Sequence, residues 1–225
     1  KETDPAGLSP DRQLRLLAEK IHAFVEKQYS CLTRSLLPLL RQNGIALLKG
    51  DDLTAEQERF ADDYFENVLF PVLTPLAVDR SRPFPMLSNK SLNLGVRLRK
   101  EGETAFAVVQ VPAILPRLVE APAEEGRAFL LLESLIARHF GDLFELHDIV
   151  AYTAFRVTRN SDLDIDEESE DLLIEIQESI KKRKRGRPVR LELSCPISDP
   201  FSKYLQDRLH IRQDQIFITR APLRL

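Results

Sequence analysis

Glycine is scarce in this 225-residue chain, eight in all, and none falls in a G-x-x-x-x-G-K-[ST] or G-x-G-x-x-G pattern, so no glycine-rich loop is encoded to cradle a phosphate. A G-x-S-x-G nucleophile elbow is missing too. Cysteine is scarcer still. Cys31 and Cys195 are the whole set, and neither has a second Cys or a His at ligand spacing, which argues against a disulfide framework and a zinc site. No apolar run approaches the roughly 18 residues that span a bilayer, and residues 1–10 lack a signal-peptide core, so we expect no membrane span and a cytoplasmic location. An excess of one charge is also lacking: 32 Lys and Arg stand against 35 Asp and Glu, a net charge of −3. Nucleic-acid-binding domains are usually strongly basic, so that partner is not expected.

Chemistry-bearing residues are correspondingly dispersed. The four histidines, His22, His139, His147 and His210, have no carboxylate or Cys partner at a motif spacing and read as surface or boundary residues. Asp162, Asp164 and Asp166 open like a calcium loop, but its sixth and twelfth positions, which require Gly and Glu, hold Glu167 and Leu173. The sequence therefore names no catalytic residue and no metal ligand.

What is present is apolar periodicity, with 43% of residues hydrophobic, enough for an adequate core. Over residues 9–43, Leu14, Leu17, Ile21, Phe24, Val25, Leu32, Leu36, Leu39 and Leu40 recur at three- and four-residue steps, one face of a long helix. Ser9 and Pro10 suit its start, Gly44 suits its end, and Pro38 should bend or interrupt it. Thr54 and Gln57 form a capping-box pattern that opens a second helix, buried through Phe60, Tyr64, Phe65 and Val68 or Leu69 and ended by Pro71. The two helices are expected to pair antiparallel.

Residues 69–94 then break the helical pattern. Pro71, Pro75, Pro83 and Pro85 each fix φ and remove a donor. The apolar Phe70, Val72, Leu73, Leu76, Val78, Phe84, Met86 and Leu87 make this a stiff connector that packs against protein. Beyond it, Leu92, Leu94, Val96 and Leu98 alternate with polar or small residues, a half-buried strand that returns as a hairpin over 105–111. Helix follows around Leu135 and Phe140, closed by Gly141, then strand over 147–158, helix over 166–184, strand over 188–193, helix over 200–209 and strand over 215–219. The fold class expected is α+β: an N-terminal antiparallel helical segment, then a mixed head with a largely antiparallel sheet.

Residues 162–190 are the most charged. Acidic side chains crowd the start of the expected helix, and Lys181, Lys182, Arg183, Lys184 and Arg185 crowd its end, the order a helix dipole favours without any ligand. In the connector, Thr74, Ser88, Asn89 and Ser91 are of the kind that satisfies irregular backbone. The candidate cleft or polyanion contacts are Arg82, Asn89, Lys90, Lys182, Arg183 and Lys184.

The stretches Phe70-Pro-Val-Leu-Thr-Pro-Leu-Ala-Val-Asp79, Arg82-Pro-Phe-Pro85 and Ser91-Leu-Asn-Leu94, with Phe155-Arg-Val-Thr-Arg159 and Asp162-Leu-Asp164 further on, resemble the bacterial polyphosphate kinases. The resemblance covers nearly the whole chain. It implies that residues 1–70 end a helical N-terminal domain, 71–90 connect, and 91–225 form an α+β head associated with dimer contacts. It also implies a longer parent that reversibly transfers the terminal phosphate of ATP to polyphosphate through a phosphohistidine, with magnesium, on C-terminal catalytic domains beyond Leu225. None of the four histidines matches that motif, so the expected role here is scaffold and dimerisation, and the 225 residues alone are expected to be inactive. The competing expectation is a self-contained protein-interaction module.

Overall fold

The computed structural model describes residues 3, 5–50, 52–78, 84–160, 186–194, 199–219 and 221–223. The expected helix over 166–184 lies outside the described residues.

Helix α1 (Pro10–Cys31) starts where expected. Ser9 is its extended N-cap and Pro10 its first residue, although the Ser9 hydroxyl makes no capping bond. The chain stays helical through Pro38 by widening: a π-helical turn (Leu32–Leu36) precedes α2 (Leu37–Gln42), and the Leu37 N–H donates to the Leu32 carbonyl five residues back. Pro38 has no N–H, and in a regular helix its ring would strike the carbonyl four residues earlier. The same device recurs at the second proline stop. Helix α3 (Ala55–Tyr64) passes into a π-helical turn (Phe65–Leu69), with Phe70 N–H donating to Phe65 O immediately before Pro71. The Thr54–Gln57 capping box forms in both directions, at 3.1 and 3.3 Å, and Gln57 Nε2 also donates to Pro122 O at 2.8 Å.

Among the described residues nine strands make two sheets. A small one runs β1 (Ile45–Leu47), β6 (Arg127–Leu131), β5 (Leu118–Ala121), with β1 parallel and β5 antiparallel to β6. Gly44 ends α2 in the left-handed region, and its carbonyl receives the Arg127 N–H at 2.7 Å. A Cβ on Gly126, itself at φ +69°, would lie 2.2 Å from that carbonyl oxygen. The large sheet runs β2 (Leu76–Val78), β4 (Glu103–Gln110), β3 (Leu92–Lys100), β7 (Asp148–Arg159), β8 (Pro188–Leu193), β9 (Ile216–Ile218) and is antiparallel except at β8–β9. The β3–β4 hairpin turns on Glu101 and Gly102, both at positive φ, as a two-residue hairpin of this twist requires.

The α+β class and the largely antiparallel sheet are as the sequence reads. One face of the sheet (Leu94, Val96, Leu98, Ala107, Val109) packs on Ala61, Phe65 and Leu69 and on α4 (Leu132–Arg138) with Phe140 of α5 (Phe140–Leu143). The other (Val78, Val108, Phe155, Val157, Leu191, Leu193) packs on α6 (Pro200–Leu209) through Phe201, Leu205 and Leu209. Gly95 leaves room for Phe201, whose ring would stand 1.8 Å from a Cβ there.

Outside its own chain neighbours, α1 meets the 3₁₀ turn at Gln213–Gln215, and α3 meets β5. Three local expectations are corrected. The long helix does not bury its apolar face. Val25 is buried, whereas Leu14, Leu17, Ile21, Phe24, Leu36, Leu39 and Leu40 are exposed. The connector packs only in part, with Val78 and Leu87 buried but Phe70, Val72, Leu76 and Met86 exposed. Finally, α4 ends at His139, and Gly141 lies inside α5.

Candidate functional site

The main concentration of polar chemistry lies where α1 crosses the β7–β8–β9 end of the large sheet. In a strand pair the residues directly opposite share a face, and the register sets Arg156 against Glu192 and Glu192 against Phe217. Glu192 is 2% exposed. It accepts from Arg156 Nε at 2.6 Å and from Arg190 at 3.0 Å, so one buried carboxylate serves two guanidiniums. A carboxylate so enclosed is retained only when such partners replace its water.

Phe217 is clamped beside this triad. The His22 ring of α1 stacks on it at 4.0 Å between centroids, and the Arg190 guanidinium lies 4.1 Å from its centroid. His22 Nε2 lies 2.9 Å from the Asp214 carbonyl oxygen, tying α1 to the turn before β9. On that turn Arg212 grips Asp214 with two hydrogen bonds of 3.0 and 2.9 Å. Arg212 thereby holds the Asp214 carboxyl below its ordinary value, against an opposing effect of partial burial. A cavity of about 420 Å³ opens here, lined by Leu14, Leu17 and Ile21 of α1 and by Arg187, Arg190 and Arg212. Among the described residues the lining sets three arginines and Asp214 beside an aliphatic wall.

A second, larger groove of about 1120 Å³ runs between the α2–β1 segment and the small sheet. Its walls are mostly apolar, among them Leu37, Leu40, Leu47 and Phe129, with Arg41, Lys49 and Arg138 as its charged residues. Arg138 is engaged by Glu58 and Asp62 of α3.

Of the residues singled out from sequence, Asn89 and Lys90 form a turn over the end of β7. Asn89 Oδ1 accepts the Arg159 N–H at 2.8 Å, and the Lys90 N–H donates to Val157 O at 2.8 Å, with Lys90 at φ +61°. Ser91 closes the same turn by donating its hydroxyl to Ser88 O at 2.8 Å. Asn89 and Ser91 thus satisfy irregular backbone, the plainer of the two readings open to them. The neighbouring Arg159 guanidinium is pushed down from its ordinary value by burial. Arg82, Lys182, Arg183 and Lys184 lie outside the described residues. Among the histidines, His139 is stacked on Phe65 at 4.0 Å with Asp142 on Nδ1 at 2.9 Å, and His210 caps α6 in the left-handed region.

Sequence reasoning missed the Arg156–Glu192–Arg190 triad. Its only signal is a charged residue inside each of two strands, Arg156 between Phe155 and Val157 and Glu192 between Leu191 and Leu193. Turning that into a pair requires the register.

Among the described residues no helix is long and apolar enough to cross a membrane. Residues 56–225 match the family model of the polyphosphate kinase middle domain. The chain is 43% identical over 231 residues to a polyphosphate kinase of Halalkalibacterium halodurans, covering 100% of this chain and 33% of that protein. It is 40% identical over 226 residues to one of Lactiplantibacillus plantarum, covering 99% and 31%. The crystal structure of polyphosphate kinase from Porphyromonas gingivalis superimposes with a TM-score of 0.72 at 20% identity, over 91% of this chain and 30% of that one, a likeness of fold. The chain spans about a third of the length of these relatives.

Proposed function

The chain belongs to the polyphosphate kinase family, with the family's middle domain over residues 56–225, and from that premise we propose that it is the non-catalytic head and adjoining helical part of a longer cytoplasmic enzyme. That enzyme transfers the terminal phosphate of ATP reversibly to polyphosphate through a phosphohistidine, with magnesium, and these residues supply scaffold and dimer contacts. The observation that carries the reading is the middle-domain match, which takes in every strand of the large sheet. The engaged rings of His22 and His139 support it, since a histidine that must attack a phosphate needs a ring nitrogen facing substrate.

The division proposed is 1–70 for the end of the helical part, 71–90 for the connector and 91–225 for the head, with Ala61, Phe65 and Leu69 of the helical part sharing a core with β3 and β4. Arg82, Lys182, Arg183 and Lys184 remain proposed polyanion contacts. Asn89 and Lys90 remain proposed cleft residues through their exposed edges.

Labelling the full-length enzyme with γ-phosphate-labelled ATP and magnesium, followed by peptide mapping, tests the assignment. Acid-labile phosphate is expected outside these 225 residues. Stoichiometric label on His22, His139, His147 or His210 overturns it. Dimer contacts are checked by solution mass over a concentration series, and polyanion contacts by salt-dependent polyphosphate retention after charge reversal of Lys182, Arg183 and Lys184, which unchanged retention would sink.

A further inference from the structure

Three arginines of the large sheet, Arg97, Arg159 and Arg190, hold a buried Nε with no hydrogen-bond partner. Two of them have a carboxylate to answer the charge: Arg97 lies 3.8 Å from Asp199, and Arg190 lies 3.0 Å from Glu192. Arg159 has no such carboxylate among the described residues. Its guanidinium donates from Nη1 to the Gly186 carbonyl at 3.1 Å, and burial pushes it down from its ordinary value. A cation taken partly out of water without a counter-charge is unfavourable, and a bound anion relieves it.

A second irregularity lies on the neighbouring segment. Lys90 stands at φ +61°, a left-handed backbone that disfavours any side chain with a Cβ by about 1 kcal/mol and that Gly or Asn adopts more readily. Residues held this way persist where their surroundings fix them, and they cluster at ligand clamps. Here the turn is fixed by β7, through Lys90 N–H to Val157 O and Arg159 N–H to Asn89 Oδ1, both at 2.8 Å. The exposed Lys90 side chain is thus carried on a rigid corner.

Asn89 adds a third donor. Its Oδ1 is committed to the Arg159 N–H, which orients the amide and leaves Nδ2 without a hydrogen-bond partner among the described residues. An amide NH₂, an ammonium and a guanidinium all donate, and none of these groups accepts. A set of donors with two unanswered cations matches an oxyanion, which a guanidinium meets as a fork and an ammonium as a point charge.

We propose that Asn89, Lys90 and Arg159 form a binding subsite for a phosphoanion, at the corner where the connector turn meets the end of β7. The choice of phosphate among oxyanions rests on the polyphosphate kinase reading above, which this subsite extends to Arg159. Phosphate oxygens take the free N–H groups of Arg159 and of Asn89 Nδ2, and Lys90 closes the exposed side.

The test measures hydrogen exchange of peptides covering residues 86–92 and 155–160 in the full-length protein. Sodium tripolyphosphate, sodium orthophosphate and magnesium-free ATP are each compared with sodium chloride at equal ionic strength. At least one phosphoanion is expected to slow exchange about fivefold, and which of them does so identifies the source of the phosphate. No slowing, or equal slowing by sodium chloride, overturns the proposal. Lys90→Gly removes the ammonium together with the strained Cβ, and Asn89→Asp keeps the acceptor for the Arg159 N–H while replacing the donor with a charge. Both variants should hold the wild-type urea midpoint, with Lys90→Gly at or above it, and both should lose the slowing. Slowing that survives in both variants comes from binding elsewhere and also overturns the proposal. The kinase reading fails separately, by absence of ATP-dependent phosphohistidine in a protein whose 86–92 peptide is still protected.

Discussion

Glu192 shows at the scale of one residue how this chain spends polar groups. It is buried and answers two arginines, Arg156 and Arg190, so removing its charge leaves two guanidiniums facing each other across a half-dry strand face. Glu192→Gln should destabilise the domain by about 3 kcal/mol, the usual penalty for breaking a buried pair from one side. Replacing Arg156, Glu192 and Arg190 together by apolar residues should cost less than the single change, and urea unfolding of the two variants makes the comparison. Asp214 gives a prediction in pH. The Arg212 hydrogen bond holds its carboxyl below the ordinary range, so folded Asp214 gives up its proton more readily than the unfolded chain. Its contribution, about 0.5 kcal/mol for so exposed a pair, is complete above the ordinary carboxylate value near 4 and fades as pH falls below that. Wild type and Asp214→Asn should therefore differ in stability at pH 6, and the difference should shrink as pH is lowered below 4. Gly126→Ala sets a Cβ against the Gly44 carbonyl at positive φ and should lower stability by about 2 kcal/mol.

At the scale of elements, local rules operate wherever the neighbours in sequence are also the neighbours in space. Gln57 both closes its own capping box and ties α3 to Pro122, so Gln57→Ala should cost about 1–2 kcal/mol, measured by thermal melting; Gln57→Glu should keep the cap yet lose the donor to Pro122. The cap at Thr54, the stop at Gly44 and the β3–β4 hairpin were legible for this reason. The strand β5 was not, because Leu118–Ala121 is four residues long and one of the elements it packs on, α3, is far off in sequence. The face of α1 misled for the opposite reason: its periodicity is correct, but periodicity states which residues share a face and not what covers them. The prolines were read as breaks, and at Pro38 the backbone instead lengthens one turn to pass it. Of the candidate site, Asn89 and Lys90 were legible as polar groups on a fixed path. The triad was not, since Arg156 and Glu192 are 36 residues apart and meet only through the register of β7 with β8.

Across the whole molecule, a single sheet divides two apolar cores and belongs to both. Leu94 and Val96 face α3 and α4, and on the same strand Gly95 faces Phe201 of α6. Strand β7 likewise joins the two ends of the sheet, pairing with β3 over Leu92–Arg99 and with β8 over Pro188–Leu193. Neither core can lose its packing without exposing the back of strands that the other core needs. The domain should therefore unfold as one unit rather than as a helical half and an α6 half. Leu132→Ala in the first core should cost about 2–5 kcal/mol and Phe155→Ala in the second about 3–5 kcal/mol; both side chains are fully buried. Each should shift the same urea transition, read by circular dichroism and by hydrogen exchange of peptides from α4 and α6. A Leu132→Ala variant in which α4 exchanges freely at a urea concentration where α6 stays protected would show that the sheet separates two independent units and transmits no rigidity from the α4 side to the α6 side.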